Sequence, residues 1–285
     1  MASTEADAPG RAERLQGLDA AALAALEQLV VQSQWNQTAQ DWQLFAREGR
    51  IHVVRDAQQR IVASGAVLPM GAHDAWISMI LVDPACRGRG LGRTVFEACL
   101  QDLEGESRTP WLDATPAGEA LYRQYGFEPL WRLARWQREA RAATATLRAV
   151  GPARADTLAP LAELDAQALG QPRPAVLHDL AQREGSHLLR DAQGFAVVRH
   201  GRVAHHIGPL IATDAAAALR LFDQACAALD GRVFIDVPDA REALRARLAQ
   251  AGFTEQRPFA RMRRAVGPAR GQTAFIHAIA GPEYG

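Results

Sequence analysis

Residues 76–103 read WISMILVDPACRGRGLGRTVFEACLQDL and combine three local signals in order. The apolar run Ile77 to Val82 stops at Asp83-Pro84, which predicts a buried strand. Arg87 to Gly92 carries three glycines at alternate positions, which predicts a turn whose backbone can adopt positive φ. Apolar residues then recur at three- and four-residue steps, as in an amphipathic helix: Val95, Phe96, Cys99, Leu100 and Leu103.

This segment has the composition of an anion-binding site. The first N–H groups of a helix have no partner within it, and the helix dipole favours negative charge there. Arg87, Arg89 and Arg93 add positive charge, so we expect a phosphate or pyrophosphate. A nucleoside triphosphate loop requires Gly-Lys-Ser/Thr, but the chain has no lysine. A dinucleotide fingerprint requires G-x-G-x-x-G, whereas the spacing here is G-x-G-x-G.

A second informative stretch, ATPAGEALYRQYGF, ends at Phe127. Thr115-Pro116 predicts the N-cap and first residue of a helix that Gly126 ends. Together with the R-G-R-G-L-G turn, this stretch resembles the GNAT superfamily of acyl-CoA-dependent N-acyltransferases. Members carry Gln/Arg-x-x-Gly-x-Gly/Ala and, later, Ala-x-x-Leu-Tyr-x-x-x-Gly-Phe. The sequence departs from the pattern at Thr115, where many members have Asn.

The resemblance implies an α/β fold with a mixed α+β sheet and acetyl-CoA as the co-substrate. It implies that backbone groups of one strand and the glycine turn hold the coenzyme, at Ile80, Leu81, Val82, Arg87, Gly88, Arg89, Gly90, Leu91, Gly92, Arg93 and Thr94. Tyr122 matches the tyrosine that gives a proton to the departing coenzyme thiolate. Tyr125, one helical turn further, is the alternative donor.

The second half is similar to the first at an offset of 126 residues, which lays Gly252-Phe253 on Gly126-Phe127. Residues 213–218 correspond to the glycine turn at this offset. They read TDAAAA, so coenzyme binding is not expected there. We therefore predict two tandem GNAT-like domains, each a twisted, mostly antiparallel sheet flanked by helices. The predicted boundaries are a disordered start at 1–12, the domain with the acetyl-CoA site at 13–140, a linker at 141–152, and a degenerate domain with a C-terminal edge strand at 153–285.

The chemistry of the predicted site is direct transfer. No Ser-His or Cys-His arrangement indicates a covalent intermediate, so an amine is expected to attack the thioester in a ternary complex. The base stays open between Asp113, Asp74 and a water chain, because Ser78 and Met79 stand where some relatives have Glu.

The polar segment after the first predicted helix is the candidate acceptor site. Trp35, Asn36 and Asp41 offer an indole, an amide and a carboxylate, which suit an amine-bearing ligand, and Trp42 lies beside them. The prediction is an N-acetyltransferase acting on a small-molecule amine. A non-catalytic acyl-CoA-binding regulatory module and a protein lysine or N-terminal acetyltransferase are the alternatives.

Composition limits the classes of binding partner that the sequence predicts. Acidic and basic residues balance at 32 each, so neither nucleic acid nor a membrane surface is expected. The three cysteines show no paired spacing, and His205-His206 would point to opposite faces of a strand, so no metal site is predicted. The start of the chain has no apolar leader, and we expect a cytoplasmic protein. A homodimer is left open.

Overall fold

A computed structural model describes residues 10–141, 155–265 and 270–285. They group into two units, Met1–Leu68 with Ile77–Arg108, and Pro69–Trp76 with Thr109–Gly285. Both units combine helices with strands, which confirms the mixed α/β class. Almost all of the predicted linker, 141–152, and most of the predicted disordered start lie outside the described residues. Within that start, Ala12 opens a short strand, so disorder does not extend to residue 12.

The first unit contains four neighbouring strands in chain order, β1 (Ala12–Arg14), β2 (Arg50–Arg55), β3 (Ile61–Met70) and β4 (Asp74–Val82), the last two of which run on into the second unit. Its helices are α1 (Ala20–Gln32), α2 (Ala39–Glu48) and α3 (Leu91–Gly105). Asp19 caps α1, because its Oδ1 accepts the Ala22 N–H at 2.7 Å. Leu91 and Val95 bury the apolar face of α3 against Val54 and Val62.

The second unit carries the remaining elements. Its helices are α4 (Pro116–Gln124), α5 (Ala155–Leu169), α6 (Pro174–Gln182), α7 (Ala215–Ala227) and α8 (Glu242–Gln250). Its strands are β5 (Thr109–Ala114), β6 (Glu128–Arg138), β7 (His187–Asp191), β8 (Gly194–Arg199), β9 (His205–Ala212), β10 (Val233–Pro238), β11 (Thr254–Arg263) and β12 (Ile276–Ala278). Their order is β5-β11-β6-β10-β9-β8-β7, and residues Asp74–Trp76 of β4 pair in parallel with β5.

The second unit exchanges strands between the two halves of the sequence. β11, from the second half, pairs antiparallel with β5 of the first half, as in Arg261 opposite Asp113. β6, from the first half, pairs antiparallel with β10 of the second, as in Arg135 opposite Asp236. β11 and β6 also pair with each other. Each half therefore completes the sheet of the other, an arrangement that no local signal in the sequence predicts.

The C-terminal segment forms the short strand β12. The sequence predicts an edge strand near Phe275 and Ile276, and among the described strands β12 pairs only with β9. The Ile279 N–H donates to the Asp236 carbonyl of β10 at 3.0 Å. The segment thus contacts both parallel strands of the second half, β9 and β10, and the three residues of β12 are buried.

His277, on β12, makes the fold sensitive to acid. Its side chain is 3% exposed, and burial, helped by the nearby Arg241 guanidinium, lowers its pKa from 6.5 to about 4. The native state therefore holds His277 neutral while the unfolded chain takes up a proton below pH 6.5. Stability is fully present above pH 6.5 and is lost as the pH falls toward 4, by up to about 3 kcal/mol for this group. Unfolding of the wild type and His277→Gln by urea across this range should show a flatter pH profile in the variant, and identical profiles would contradict the assignment.

Candidate functional site

The predicted strand, turn and helix are present as β4, the turn that follows it, and α3. A short 3-10 turn, Pro84–Cys86, begins at Asp83, whose carboxylate accepts the Ala85 N–H at 2.9 Å. Gly88 and Gly90 then have φ of +78° and +80°, which favour glycine. A Cβ atom at either position would have no heavy atom within 4 Å beyond its chain neighbours, so this side of the turn is open.

The start of α3 has the features of an anion site. Gly90 is the N-cap residue and has no side chain to accept the first helical N–H groups. Arg87, Arg89 and Arg93 are exposed around this turn, and Arg87 Nε donates to the Val82 carbonyl at 3.4 Å. The predicted coenzyme residues Arg87–Thr94 thus form one turn and helix start with three exposed arginines, where uncapped N–H groups and three guanidinium groups can bind phosphate.

The last residues of β4 lie directly beside this turn. A Cβ atom at Gly92 would lie 3.4 Å from Val82 Cγ2 and 3.9 Å from Ile80 Cγ2, so the first turn of α3 packs on these two side chains. Leu81, at 3% exposure, faces the opposite side of the strand. The structure therefore brings the strand part and the turn part of the predicted coenzyme site together in the first unit.

Tyr122 lies on α4 of the second unit. Thr115 Oγ1 accepts the Gly118 N–H at 3.4 Å, which confirms the predicted helix start. The half-buried Tyr122 ring lies 6.2 Å from the Phe127 ring, centroid to centroid. It also covers Gly118, where a Cβ atom would lie 2.9 Å from the ring, so contacts with Phe127 and Gly118 restrain the phenol. Tyr125 is the residue that ends the helix.

Asp113 on β5 is engaged in a buried ion pair. Its two carboxylate oxygens accept hydrogen bonds from Nε and NH2 of Arg261 at 2.9 and 2.8 Å, and its side chain is 0% exposed. Burial raises the pKa of the Asp113 carboxyl, and the Arg261 guanidinium opposes that rise. Arg261 in turn lies 4.7 Å from the Trp76 ring centroid and 4.4 Å from that of Trp131. This cluster assigns Asp113 a stabilising contact, and its role as a base stays a prediction.

We expect Asp113→Asn to reduce the free energy of unfolding by about 3 kcal/mol, because it leaves Arg261 buried without a counter-charge. Asp223→Asn, which breaks a half-exposed pair with Arg247, should cost under about 1 kcal/mol. Denaturant unfolding of both variants measures the difference. Normal stability of Asp113→Asn with lost turnover would instead indicate that Asp113 acts as the base.

The other candidate base, Asp74, is also buried and bonded. Its Oδ1 accepts the Trp111 Nε1–H at 2.9 Å, and Arg270 lies 3.5 Å from its second oxygen. Neither predicted carboxylate is therefore an exposed, unengaged acceptor of protons. A water chain is the third candidate for the general base that the sequence leaves open.

The predicted acceptor residues lie in and before α2. Asn36 is buried at 8% exposure, and Trp35 precedes it in the loop after α1. Asp41 Oδ2 accepts the Thr38 N–H at 2.6 Å, which completes a capping box at the start of α2. Trp42 is fully buried and packs in the core. Asp41 thus stabilises a helix, and binding of an acceptor by this segment stays a prediction.

In the second half, a side chain caps the helix start that corresponds to the uncapped start of α3. Asp214 caps α7, because its Oδ1 accepts the Ala217 N–H at 2.8 Å. The carboxylate takes an N–H that an anion would need and adds negative charge. Leu248, which corresponds to Tyr122 at the offset of 126 residues, is fully buried.

Over the described residues, we find no cluster of three or more metal-ligating side chains. None of the described helices combines the length and the apolar character needed to cross a bilayer.

Comparison with known proteins gives consistent matches. Two family models, each described as an acetyltransferase (GNAT) domain, match residues 47–129 and 161–276, which together make up more than half of the chain. A curated protein, holothin acyltransferase of Pseudoalteromonas sp. (strain SANK 73390), is 28% identical over 231 residues, which span 79% of this chain and 78% of that protein.

Solved structures share the fold. A crystal structure assigned as an acetyltransferase from Pyrococcus horikoshii has a TM-score of 0.76 at 19% identity. The match covers 97% of this chain and 96% of the Pyrococcus chain. A tandem GNAT protein from the clavulanic acid biosynthesis pathway has a TM-score of 0.60 at 16% identity, with 91% and 99% covered. Both structures match this chain over nearly its whole length, and so over both of its halves.

Proposed function

Because the chain belongs to the GNAT acyltransferase family, as a tandem two-domain member, we propose that it transfers an acetyl group from acetyl-CoA to a primary amine of a small molecule. One observation carries the proposal. The start of α3 is uncapped, opens on the side of Gly88 and Gly90, and is surrounded by three exposed arginines. That arrangement suits the pyrophosphate of a coenzyme.

The nature of the acceptor is supported by relatives. One curated relative is named holothin acyltransferase, and one structural neighbour comes from the clavulanic acid biosynthesis pathway. Both names favour a small-molecule acceptor over a protein. Balanced charge over the whole chain also offers no broad field for a charged macromolecule.

The chain's own residues have three tasks in this reaction. The amine nitrogen forms a bond to the acetyl carbon while the bond from that carbon to sulfur breaks. Backbone N–H groups at Ile80–Val82 stabilise the negative charge that develops on the carbonyl oxygen. Tyr122 gives its proton to the leaving thiolate, and the proton of the attacking ammonium leaves through water.

Calorimetric titration of acetyl-CoA into the protein, with thiol release followed over a panel of amines, tests the proposal. We expect saturable binding, and thiol release with at least one small primary amine. Release only with peptides that carry lysine or a free N-terminus would move the acceptor to protein. Absence of acetyl-CoA binding would overturn the proposal.

A second candidate is a non-catalytic acyl-CoA-binding regulatory module. It is favoured by Ser78 and Met79 on β4, where some relatives carry Glu, and by the engagement of Asp113 and Asp74 in other contacts. Binding of acetyl-CoA without thiol release on any amine or peptide in the panel would support this candidate.

A further inference from the structure

Met79 on β4 has an unusual backbone for its side chain. Its φ is +55°, in the left-handed region, and its side chain is 1% exposed. A non-glycine residue in that region is strained, so the conformation persists only where surrounding contacts hold it. Such residues cluster at active sites, ligand clamps and switch regions.

Ser64 on β3 supplies such a contact. Its hydroxyl donates to the Met79 carbonyl at 2.9 Å, and Ser64 is 0% exposed. A hydrogen bond of this kind, shielded from water, restrains the carbonyl direction more firmly than one at the surface. Ser64 is distant from Met79 in sequence, and nothing in the pattern around either residue indicates the contact.

Fixing this carbonyl also fixes the next N–H. The peptide between Met79 and Ile80 is planar, and in the trans form its C=O and N–H point in opposite directions. The carbonyl points to Ser64, so the Ile80 N–H points away from it. Ile80 lies against the first turn of α3, with 3.9 Å between its Cγ2 and the Cβ position of Gly92. The donor therefore belongs to the same local structure as the anion-binding turn.

We propose that Ser64 is a positioning residue, which holds the Met79–Ile80 peptide so that the Ile80 N–H donates to the carbonyl oxygen of the bound acyl thioester. This inference rests on the proposed function. Ser64 exchanges no proton in the reaction. It sets the direction of a dipole in advance, so that negative charge on the thioester oxygen meets a donor already in place.

A purely structural role for Ser64 has a different signature. Loss of a buried hydrogen bond lowers stability whether or not a ligand is bound. Only a positioning role also changes the polarisation of the acyl carbonyl. Free CoA lacks that carbonyl, so the positioning role predicts a selective effect on acetyl-CoA.

The test compares wild type, Ser64→Ala and Ser64→Thr. Isotope-edited infrared spectra of acetyl-CoA labelled at the acetyl carbonyl measure polarisation, and calorimetry measures affinity for acetyl-CoA and for CoA. We expect a red-shifted carbonyl band in the wild type and Ser64→Thr that moves toward its solution position in Ser64→Ala. Turnover of Ser64→Ala on an active amine should fall about tenfold or more, while its affinity for CoA is kept. Thermal unfolding establishes that each variant is folded.

The outcomes separate this inference from the proposed function. An unchanged carbonyl band in folded Ser64→Ala, with normal acetyl-CoA binding, would overturn the role of Ser64 alone. Failure of the wild type to bind either acetyl-CoA or CoA would overturn the proposed function instead.

Discussion

Gly90→Asp should weaken acetyl-CoA binding by about 100-fold or more, which is the loss expected when one or two charge-assisted hydrogen bonds of about 1.5–3 kcal/mol each are removed. Gly90 is the N-cap of α3 and has φ of +80°. An aspartate there accepts the first helical N–H groups with its own carboxylate and repels the pyrophosphate. In the second half, the Asp214 carboxylate accepts the Ala217 N–H in this way at the start of α7.

The matched control for Gly90→Asp is Gly252→Asp. Gly252 has φ of +82° and, like Gly90, nothing within 4 Å of a built Cβ atom, so the substitution brings a similar backbone strain. It lies after α8, away from the glycine turn in sequence. Calorimetry should find wild-type affinity in Gly252→Asp. Equal losses in the two variants would mean that strain, and not the anion site, governs binding.

The features that the sequence predicts are those with local signals. Asp19 at the start of α1, Thr115-Pro116 at the start of α4, and the glycines before α3 each act on residues within one helical turn. The coenzyme motif is of the same kind, because consecutive residues form both its turn and its helix start. Physical reasoning over a short window therefore suffices for this part of the site.

The features that the sequence does not predict depend on distant contacts. Asp113 meets Arg261, 148 positions along the chain, and Trp76 Nε1–H donates to the Pro282 carbonyl, 206 positions along. No pattern near either residue indicates its partner. On β11, Arg261 and Arg263 take alternate positions that a sequence pattern would assign to solvent, yet both are buried, at 3% and 5% exposure.

The start of α2 carries a local signal for a helix cap at Asp41, which is also a candidate ligand for an amine. Thr38-Ala-Gln-Asp41 has the spacing of a capping box, with aspartate in the place of the usual glutamate. The structure shows both reciprocal contacts of that box. A carboxylate three residues after a threonine is therefore better interpreted first as a cap and only then as a ligand for an amine.

Tyr122→Phe should reduce turnover by about 100-fold, within the range for loss of a positioned general acid, and leave affinity for acetyl-CoA nearly unchanged. The phenol hydroxyl is the only group removed. The ring keeps its contacts with Gly118 and Phe127. The leaving thiolate then loses the proton donor that we propose for it, so bond cleavage slows while binding through the glycine turn is retained.

Tyr125→Phe is the control, because it removes the same hydroxyl from the residue that ends α4. Stopped-flow thiol release with an active amine measures the chemical step, and calorimetry measures binding. If Tyr125→Phe lost turnover and Tyr122→Phe did not, the acid would be Tyr125, the alternative that the sequence left open. A thioester with a leaving thiol of lower pKa needs less protonation, so it should restore turnover in the variant that lacks the true acid more than it accelerates the wild type. That selective rescue would identify proton donation as the lost step, because a variant with a misplaced ring would show no such dependence on the leaving group.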